Sequence, residues 1–101
     1  MEQGLENIVQ ELQMVSQQLV SVQTQVKELQ GTIDHLKLQN PENAVFQQIG
    51  PLLVQVDDVE KLVASLTETT AQLNEHANKL TSREKELRVS YESAVQKFES
   101  M

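Results

Sequence analysis

Apolar residues recur alternately three and four positions apart along the first part of the chain. The series runs without interruption through Leu5, Ile8, Leu12, Val15, Leu19, Val22, Val26, Leu29, Ile33 and Leu36. Gln, Glu, Ser and Lys fill most of the positions between them, so the apolar stripe is narrow. This spacing predicts a helix over residues 1–39 that buries one face against a partner helix.

A second heptad repeat predicts a helix over residues 58–101. Asp57 is the expected N-cap, with Glu60 three residues later to complete a capping box. Pro41 separates the two helices, because proline lacks a backbone N–H and pushes the preceding Asn40 out of the α region. The repeat comprises Val59, Val63, Leu66, Thr70, Leu73, Ala77, Leu80, Glu84, Leu87, Tyr91, Ala94, Phe98 and Met101.

Two heptad helices with a short connection bury both stripes most simply as an antiparallel coiled coil. One register of that pair places Leu19 beside Leu80. The same register places Leu5 beside Ala94 and leaves no residue of the first helix to cover Phe98. The two outer helix ends then meet at one tip, and the connection lies at the opposite end.

The connection contains the apolar stretch AVFQQIGPLLVQV, residues 44–56. Its Val, Leu, Ile and Phe content favours strands, and Gly50-Pro51 in the middle favours a turn. The pattern predicts a β-hairpin with five-residue strands at 44–48 and 52–56. Such a hairpin is marginal in water and carries apolar residues on both faces, so we expect it to join other hairpins in a closed sheet. A hydrophobic loop that plugs the end of the coiled coil is the alternative.

Composition narrows the classes of function. The chain has 15 acidic and 8 basic residues, a net charge of −7 and no basic cluster, so we expect it to bind neither nucleic acid nor membrane. The absence of cysteine excludes disulfides and thiolate metal sites. His35 and His76 lie too far apart in an antiparallel pair to share a metal ion. We therefore expect no cofactor and no enzyme activity, and the lack of a signal-peptide pattern favours a cytoplasmic location.

The order of these segments resembles a β-type prefoldin subunit, and the connection is most similar to that of the eukaryotic subunit six. The residues that carry the resemblance are Val45, Phe46, Ile49, Gly50, Pro51, Leu52, Leu53 and Val54. The resemblance implies a single, mainly α prefoldin-like domain over residues 1–101 whose hairpin joins a β-barrel between subunits. It also implies an ATP-independent heterohexamer of α-type and β-type subunits. Such a chaperone holds non-native clients, actin and tubulin among them, and delivers them to a cytosolic group II chaperonin.

The tip of the helix pair is the expected client-binding site. Apolar side chains there are predicted to hold exposed segments of unfolded polypeptides: Leu5, Ile8, Val9, Ala94, Phe98 and Met101. Leu5, Ile8 and Ala94 are equally well explained as ordinary residues of the interhelical seam. Two other interpretations remain open, a structural coiled-coil scaffold without clients and a prefoldin-like subunit of a different cochaperone assembly.

Overall fold

The two heptad segments form two long α-helices with a short β-hairpin between them. The computed structural model describes the backbone of residues 2–100 and the side chains of residues 4–100. Helix α1 spans Glu2–Leu38, strands β1 and β2 span Phe46–Ile49 and Leu52–Gln55, and helix α2 spans Val59–Glu99. The predicted architecture is confirmed: two long helices run antiparallel, and one antiparallel hairpin connects them.

The molecule is elongated because its two helices pack side by side along their length. α1 has 37 residues and α2 has 41, which corresponds to helices about 56 and 62 Å long. The principal extents are 71 × 25 × 15 Å and the radius of gyration is 20.8 Å. A compact domain of this length would have a radius of gyration of about 13 Å. Such a shape provides one narrow core and much exposed surface.

The core is a single seam formed by the predicted heptad positions. Val15 and Val22 of α1 form a buried cluster with Leu80 and Leu87 of α2. Ile33 is also buried, closer to the hairpin. Half-buried heptad residues extend the cluster in both directions: Ile8, Leu12, Leu19, Val26, Leu73 and Ala77. The heptad spacing therefore predicts both the identity of the core residues and the face of each helix that is buried.

Polar residues interrupt the seam on the α2 side, where the heptad is weakest. Thr70 is buried, and its hydroxyl donates to the Leu66 carbonyl at 2.8 Å. Glu84 accepts a hydrogen bond from the Ser16 hydroxyl at 2.9 Å across the helix pair. Because Ser16 and Glu84 lie one turn from Leu19 and Leu80, this contact agrees with the register that places those two leucines side by side. A polar group in a seam lowers stability but helps to define register.

The hairpin closes with a two-residue turn at Gly50-Pro51. Ile49 pairs with Leu52, and Gly50 has a φ of 59°. Proline holds φ near −65°, so only the first central residue has a positive φ, as a type II′ turn requires. Each strand has four residues instead of the predicted five, and β1 lies later in the chain, because this tight turn pairs the residues directly on either side of it. One further bond, from the Val56 N–H to the Val45 carbonyl at 2.8 Å, extends the pairing.

The N-cap of α2 is Asp58, so the prediction of Asp57 was wrong. Asp58 has an extended backbone, with φ −127° and ψ 96°, and its carboxylate accepts from the Lys61 N–H at 3.1 Å. The first helical residue is Val59. Two adjacent aspartates are chemically equivalent as caps, and only the backbone conformation distinguishes them. Glu60 then lies in the first turn, where its charge is favourable to the helix dipole.

The end of α1 follows the predicted effect of Pro41. The helix ends at Leu38, and the Gln39 N–H bonds to the Leu36 carbonyl at 3.3 Å in a tightened last turn. The Asn40 side chain accepts from the Glu42 N–H at 3.0 Å, which turns the chain towards the hairpin. The hairpin therefore begins within a few residues of the helix end.

Truncation of the seam should destabilise the helix pair strongly. Leu87 is 3% exposed, and we expect Leu87→Ala to lower the free energy of unfolding by about 2–5 kcal/mol through lost burial and a residual cavity. Val20 is 63% exposed, so Val20→Ala should change the free energy of unfolding by no more than about 0.5 kcal/mol. Urea unfolding followed by circular dichroism measures both. Equal effects of the two substitutions would contradict this assignment of the core.

One substitution type should have opposite effects at two glycines. Gly31 lies within α1, and a methyl group added there would meet open space, so Gly31→Ala should stabilise the helix by about 0.5–1 kcal/mol. Gly50→Ala should cost the hairpin about 1–2 kcal/mol, because its φ of 59° is unfavourable for alanine. Thermal unfolding measures the effect of Gly31→Ala, and amide hydrogen exchange in the hairpin measures the effect of Gly50→Ala. Equal protection of the hairpin amides in Gly50→Ala and the wild type would contradict the turn assignment.

Candidate functional site

Apolar surface is exposed at both ends of the molecule, and the first of these surfaces is the hairpin. All eight strand residues are exposed, including five apolar residues that are between 44% and 71% exposed: Phe46, Ile49, Leu52, Leu53 and Val54. Within the described residues neither strand packs against a helix. Val45 and Val56, which flank the strands, are half-buried. The chain thus contains an apolar sheet that its own helices leave uncovered.

The hairpin has two faces of different character. Residues paired across the strands share a face and successive residues alternate, so Ile49, Leu52 and Val54 lie on one face with Gln47. The other face carries Phe46, Gln48, Leu53 and Gln55. Each strand is paired on one side only, which leaves a second edge of backbone N–H and C=O groups free for another strand.

The second exposed apolar surface is a groove at the tip of the helix pair, here called the first tip groove. It has a volume of about 430 Å³, within the size range of ligand-binding pockets. Residues from both helices line it: Gly4, Leu5, Ile8, Val89, Ser90, Ser93, Ala94, Lys97 and Phe98. Phe98 is 53% exposed and Val89 is 63% exposed. The space exists because several of the lining residues are small, and the larger apolar side chains form the walls of the groove.

A second tip groove of about 370 Å³ shares Leu5 with the first. Its other lining residues are Glu6, Val9, Gln10 and Tyr91. Val9 is half-buried and Tyr91 is 40% exposed, so Val9 shares its surroundings with an aromatic ring of the opposite helix. The tip therefore presents two apolar concave surfaces.

The structure brings most of the predicted tip residues together. Leu5, Ile8, Ala94 and Phe98 line the first tip groove, and Leu5 and Val9 line the second. Leu5, Ile8 and Ala94 are half-buried, and Ile8 also packs against the buried cluster, so these three combine a seam position with a place in the groove lining. Met101 lies outside the described residues.

Sequence reasoning missed several residues that line the tip grooves. Val89 is at an outward heptad position, two residues after Leu87, and an apolar residue at such a position is the one signal that could have identified it. Tyr91 was identified only as a seam residue, although it lines the second tip groove. Lys97, Ser90 and Ser93 carry no sequence signal of their own, because a polar residue on an exposed helix face is ordinary.

One ion pair joins the two helices just below the tip grooves, and two further ion pairs lie within α2. The Arg83 guanidinium donates to Glu11 of α1 at 2.6 Å and to Glu86 at 3.1 Å. The hydrogen bond to Glu11, followed by that to Glu86, raises the pKa of Arg83 above its usual value. Arg88 contacts Glu84 at 3.1 Å, on the carboxylate that also accepts from Ser16. The Arg83–Glu11 and Ser16–Glu84 contacts join α1 to α2 close to the residues that line the tip grooves.

Histidine and carboxylate side chains are dispersed along the helix pair. Among the described residues, no group of three His, Cys, Asp or Glu side chains is arranged to hold a metal ion. The His35 ring contacts Gln39 on its own helix at 3.1 Å. Neither of the two helices, within the described part, is long and apolar enough for a membrane span.

Comparisons with known proteins agree with this architecture. The family model described as "Prefoldin subunit" matches residues 1–101. A crystal structure of the prefoldin beta subunit from Thermococcus strain KS-1 superimposes with a TM-score of 0.85 and 29% sequence identity, and the match covers 96% of this chain and 84% of that one. A search of curated proteins gave no significant match. The uncovered hairpin between two antiparallel helices is the fold of a prefoldin β subunit, and this chain belongs to the prefoldin family.

Proposed function

We propose that this chain is a β-type subunit of a hexameric, ATP-independent chaperone, in which the hairpin assembles the complex and the tip grooves hold non-native polypeptides. Prefoldins are chaperones rather than enzymes, and family membership implies association with other prefoldin subunits. The observation that carries the proposal is the distribution of exposed apolar surface, which is concentrated at the hairpin and at the tip, on either side of a closed seam. Delivery of the client to a cytosolic group II chaperonin is part of the same proposal.

The hairpin supports the assembly role because it lacks the contacts that would stabilise it alone. A two-stranded hairpin is marginal in water, and this one packs against neither helix in the described residues. Hairpins from several subunits could pair through their free edges and bury the face that carries Ile49, Leu52 and Val54. Closure into a barrel would remove the exposed edges altogether. The hairpin is therefore the element that we assign to contacts with α-type and other β-type subunits.

The tip grooves support the client-binding role because they are apolar, concave and far from the assembly hairpin. Exposed apolar surface rimmed by polar residues is typical of an interaction site. An unfolded polypeptide presents isolated apolar side chains without a fixed shape, and shallow grooves can accept such side chains with little demand on sequence. Several tips in one complex would act together on one client chain and raise its overall affinity.

The structural scaffold remains the alternative, and the tip distinguishes it from the chaperone. A scaffold needs the seam and the hairpin, but it has no use for apolar grooves at the end remote from its assembly surface. A prefoldin-like subunit of another cochaperone assembly would retain both surfaces, and the identities of the co-purifying subunits would distinguish that case.

Substitutions on the face of the hairpin that carries Ile49, Leu52 and Val54 should prevent this subunit from joining the complex. In the Ile49→Ser, Val54→Ser double variant each change removes about 1.5–3 kcal/mol of burial energy from the assembled sheet. We expect native mass spectrometry of the complex from source cells to show loss of this subunit. The matched control, Gln48→Ser with Gln55→Ser, changes two residues on the other face and should assemble normally. Normal assembly of both double variants would overturn the assignment of the hairpin as the assembly element.

Substitutions in the first tip groove should weaken client capture without affecting assembly. We expect the Val89→Ser, Phe98→Ser double variant to require roughly tenfold more complex to suppress aggregation of a denatured protein. This corresponds to a loss of about 1.4 kcal/mol of apolar contact. Light scattering measures the aggregation, and native mass checks the hexamer.

The control for this experiment is Met14→Ser with Val20→Ser. These residues are 54% and 63% exposed, fractions similar to those of Phe98 and Val89, but they line neither tip groove. The control should suppress aggregation as well as the wild type. An equal loss of activity in both double variants would mean that exposed apolar surface in general, and not the tip, holds the client.

A further inference from the structure

The two tip grooves differ in the charge that each one carries. Lys97 is the charged residue among the lining residues of the first tip groove. Glu6 is the charged residue among those of the second. The remaining lining residues of both grooves are apolar, small or uncharged. Two adjacent grooves that share Leu5 therefore offer charges of opposite sign beside similar apolar surfaces.

Both charges are available to a ligand. The nearby arginines are already paired, Arg83 with Glu11 and Glu86, and Arg88 with Glu84. Among the described side chains, neither Lys97 nor Glu6 takes part in an ion pair. Lys97 also lies in the last turn of α2, where a cation is favourable to the helix dipole. That role stabilises the helix end but gives Lys97 no partner, and it does not distinguish one bound peptide from another.

We propose that the tip sorts apolar client segments by the charge that flanks them. The first tip groove takes segments in which a large apolar residue is followed or preceded by Asp or Glu, and the second takes segments flanked by Lys or Arg. This inference rests on the proposed client-binding function and specifies its ligands. The net charge of −7 would by itself favour basic segments, but that field is largely screened beyond about 8 Å at physiological salt, whereas an ion pair at contact distance is screened less.

Charge sorting also explains why the tip has two grooves. One groove would be enough to hold an apolar side chain, but it could not favour flanking charges of both signs. An unfolded protein contains apolar residues beside charges of either sign. A single groove with a fixed charge would repel one of these classes, because a like charge at contact distance is unfavourable. Grooves of opposite sign on one tip accept both classes, and each retains a modest preference.

The test uses three unstructured peptides of the same length and the same central Phe and Leu residues, flanked by Glu, Gln or Lys. Titration calorimetry measures their binding to the complex that contains the full chain. With the wild type we expect the Glu and Lys peptides to bind about two- to fivefold more tightly than the Gln peptide, the range of a partly exposed ion pair. Both advantages should shrink in high salt.

Single substitutions should remove the two advantages separately. Lys97→Gln should abolish the advantage of the Glu peptide and leave that of the Lys peptide, and Glu6→Gln should have the reverse effect. Lys79→Gln is the matched control, because it removes one positive charge from an exposed position on α2 that lies outside both tip grooves. It should leave both advantages in place.

The outcomes separate this inference from the function on which it rests. Leu5→Ser, at the residue that both grooves share, should weaken all three peptides. If it does so but the flanking charges have no effect, client binding at the tip stands and charge sorting is wrong. If Lys97→Gln and Lys79→Gln reduced the advantage of the Glu peptide by similar amounts, charge sorting would also be wrong. The effect would then come from the overall charge of the protein and not from the groove. Unchanged binding of every peptide to Leu5→Ser would overturn the tip as the client-binding site.

Discussion

The seam between the two helices holds the molecule together and sets the positions of both its ends. Each helix carries an apolar stripe too narrow to form a core by itself and too long to leave in water, so each stripe requires the other helix. The buried cluster around Val15, Val22, Leu80 and Leu87 is the result. This seam buries the apolar residues along the length of the helix pair and leaves the two ends of the molecule, the hairpin and the tip, to other interactions. The proposed assembly at one end and the proposed client capture at the other can therefore be combined in a single chain of 101 residues.

The seam also separates the two proposed functions physically. The hairpin packs against neither helix within the described residues, so its pairing with other chains does not have to disturb the coiled coil. The tip grooves lie at the other end of a molecule 71 Å long. A client held at the tip would thus remain away from the assembly surface, with the helix pair as a spacer between them.

Polar groups near the tip end of the seam have a positioning role that apolar packing alone would not supply. A strict apolar heptad can slip by one repeat at modest cost, because each layer resembles the next. The Ser16–Glu84 hydrogen bond and the Arg83–Glu11 ion pair have specific partners, and a slip would break both. The register that they favour places Leu5 opposite Ala94 at the tip. The lining of the grooves therefore depends on contacts one to three turns away from them.

The helices, the core residues and the position of the turn could all be predicted from the sequence. Heptad spacing is a local property that repeats many times, and Gly50-Pro51 and Pro41 act through their own backbone restrictions, so none of these required knowledge of distant contacts. Asp57 and Asp58 show the limit of local reasoning, because either aspartate could cap the helix and only the backbone conformation selects Asp58. The sequence also placed Leu5, Ile8, Val9, Ala94 and Phe98 at the tip, but the other residues that line the tip grooves could be identified only from the packed helices. The lining residues come from two segments, 4–10 and 89–98, that lie far apart in the sequence, and Val89, Tyr91, Lys97 and Glu6 acquire their surroundings only when the two helices are aligned.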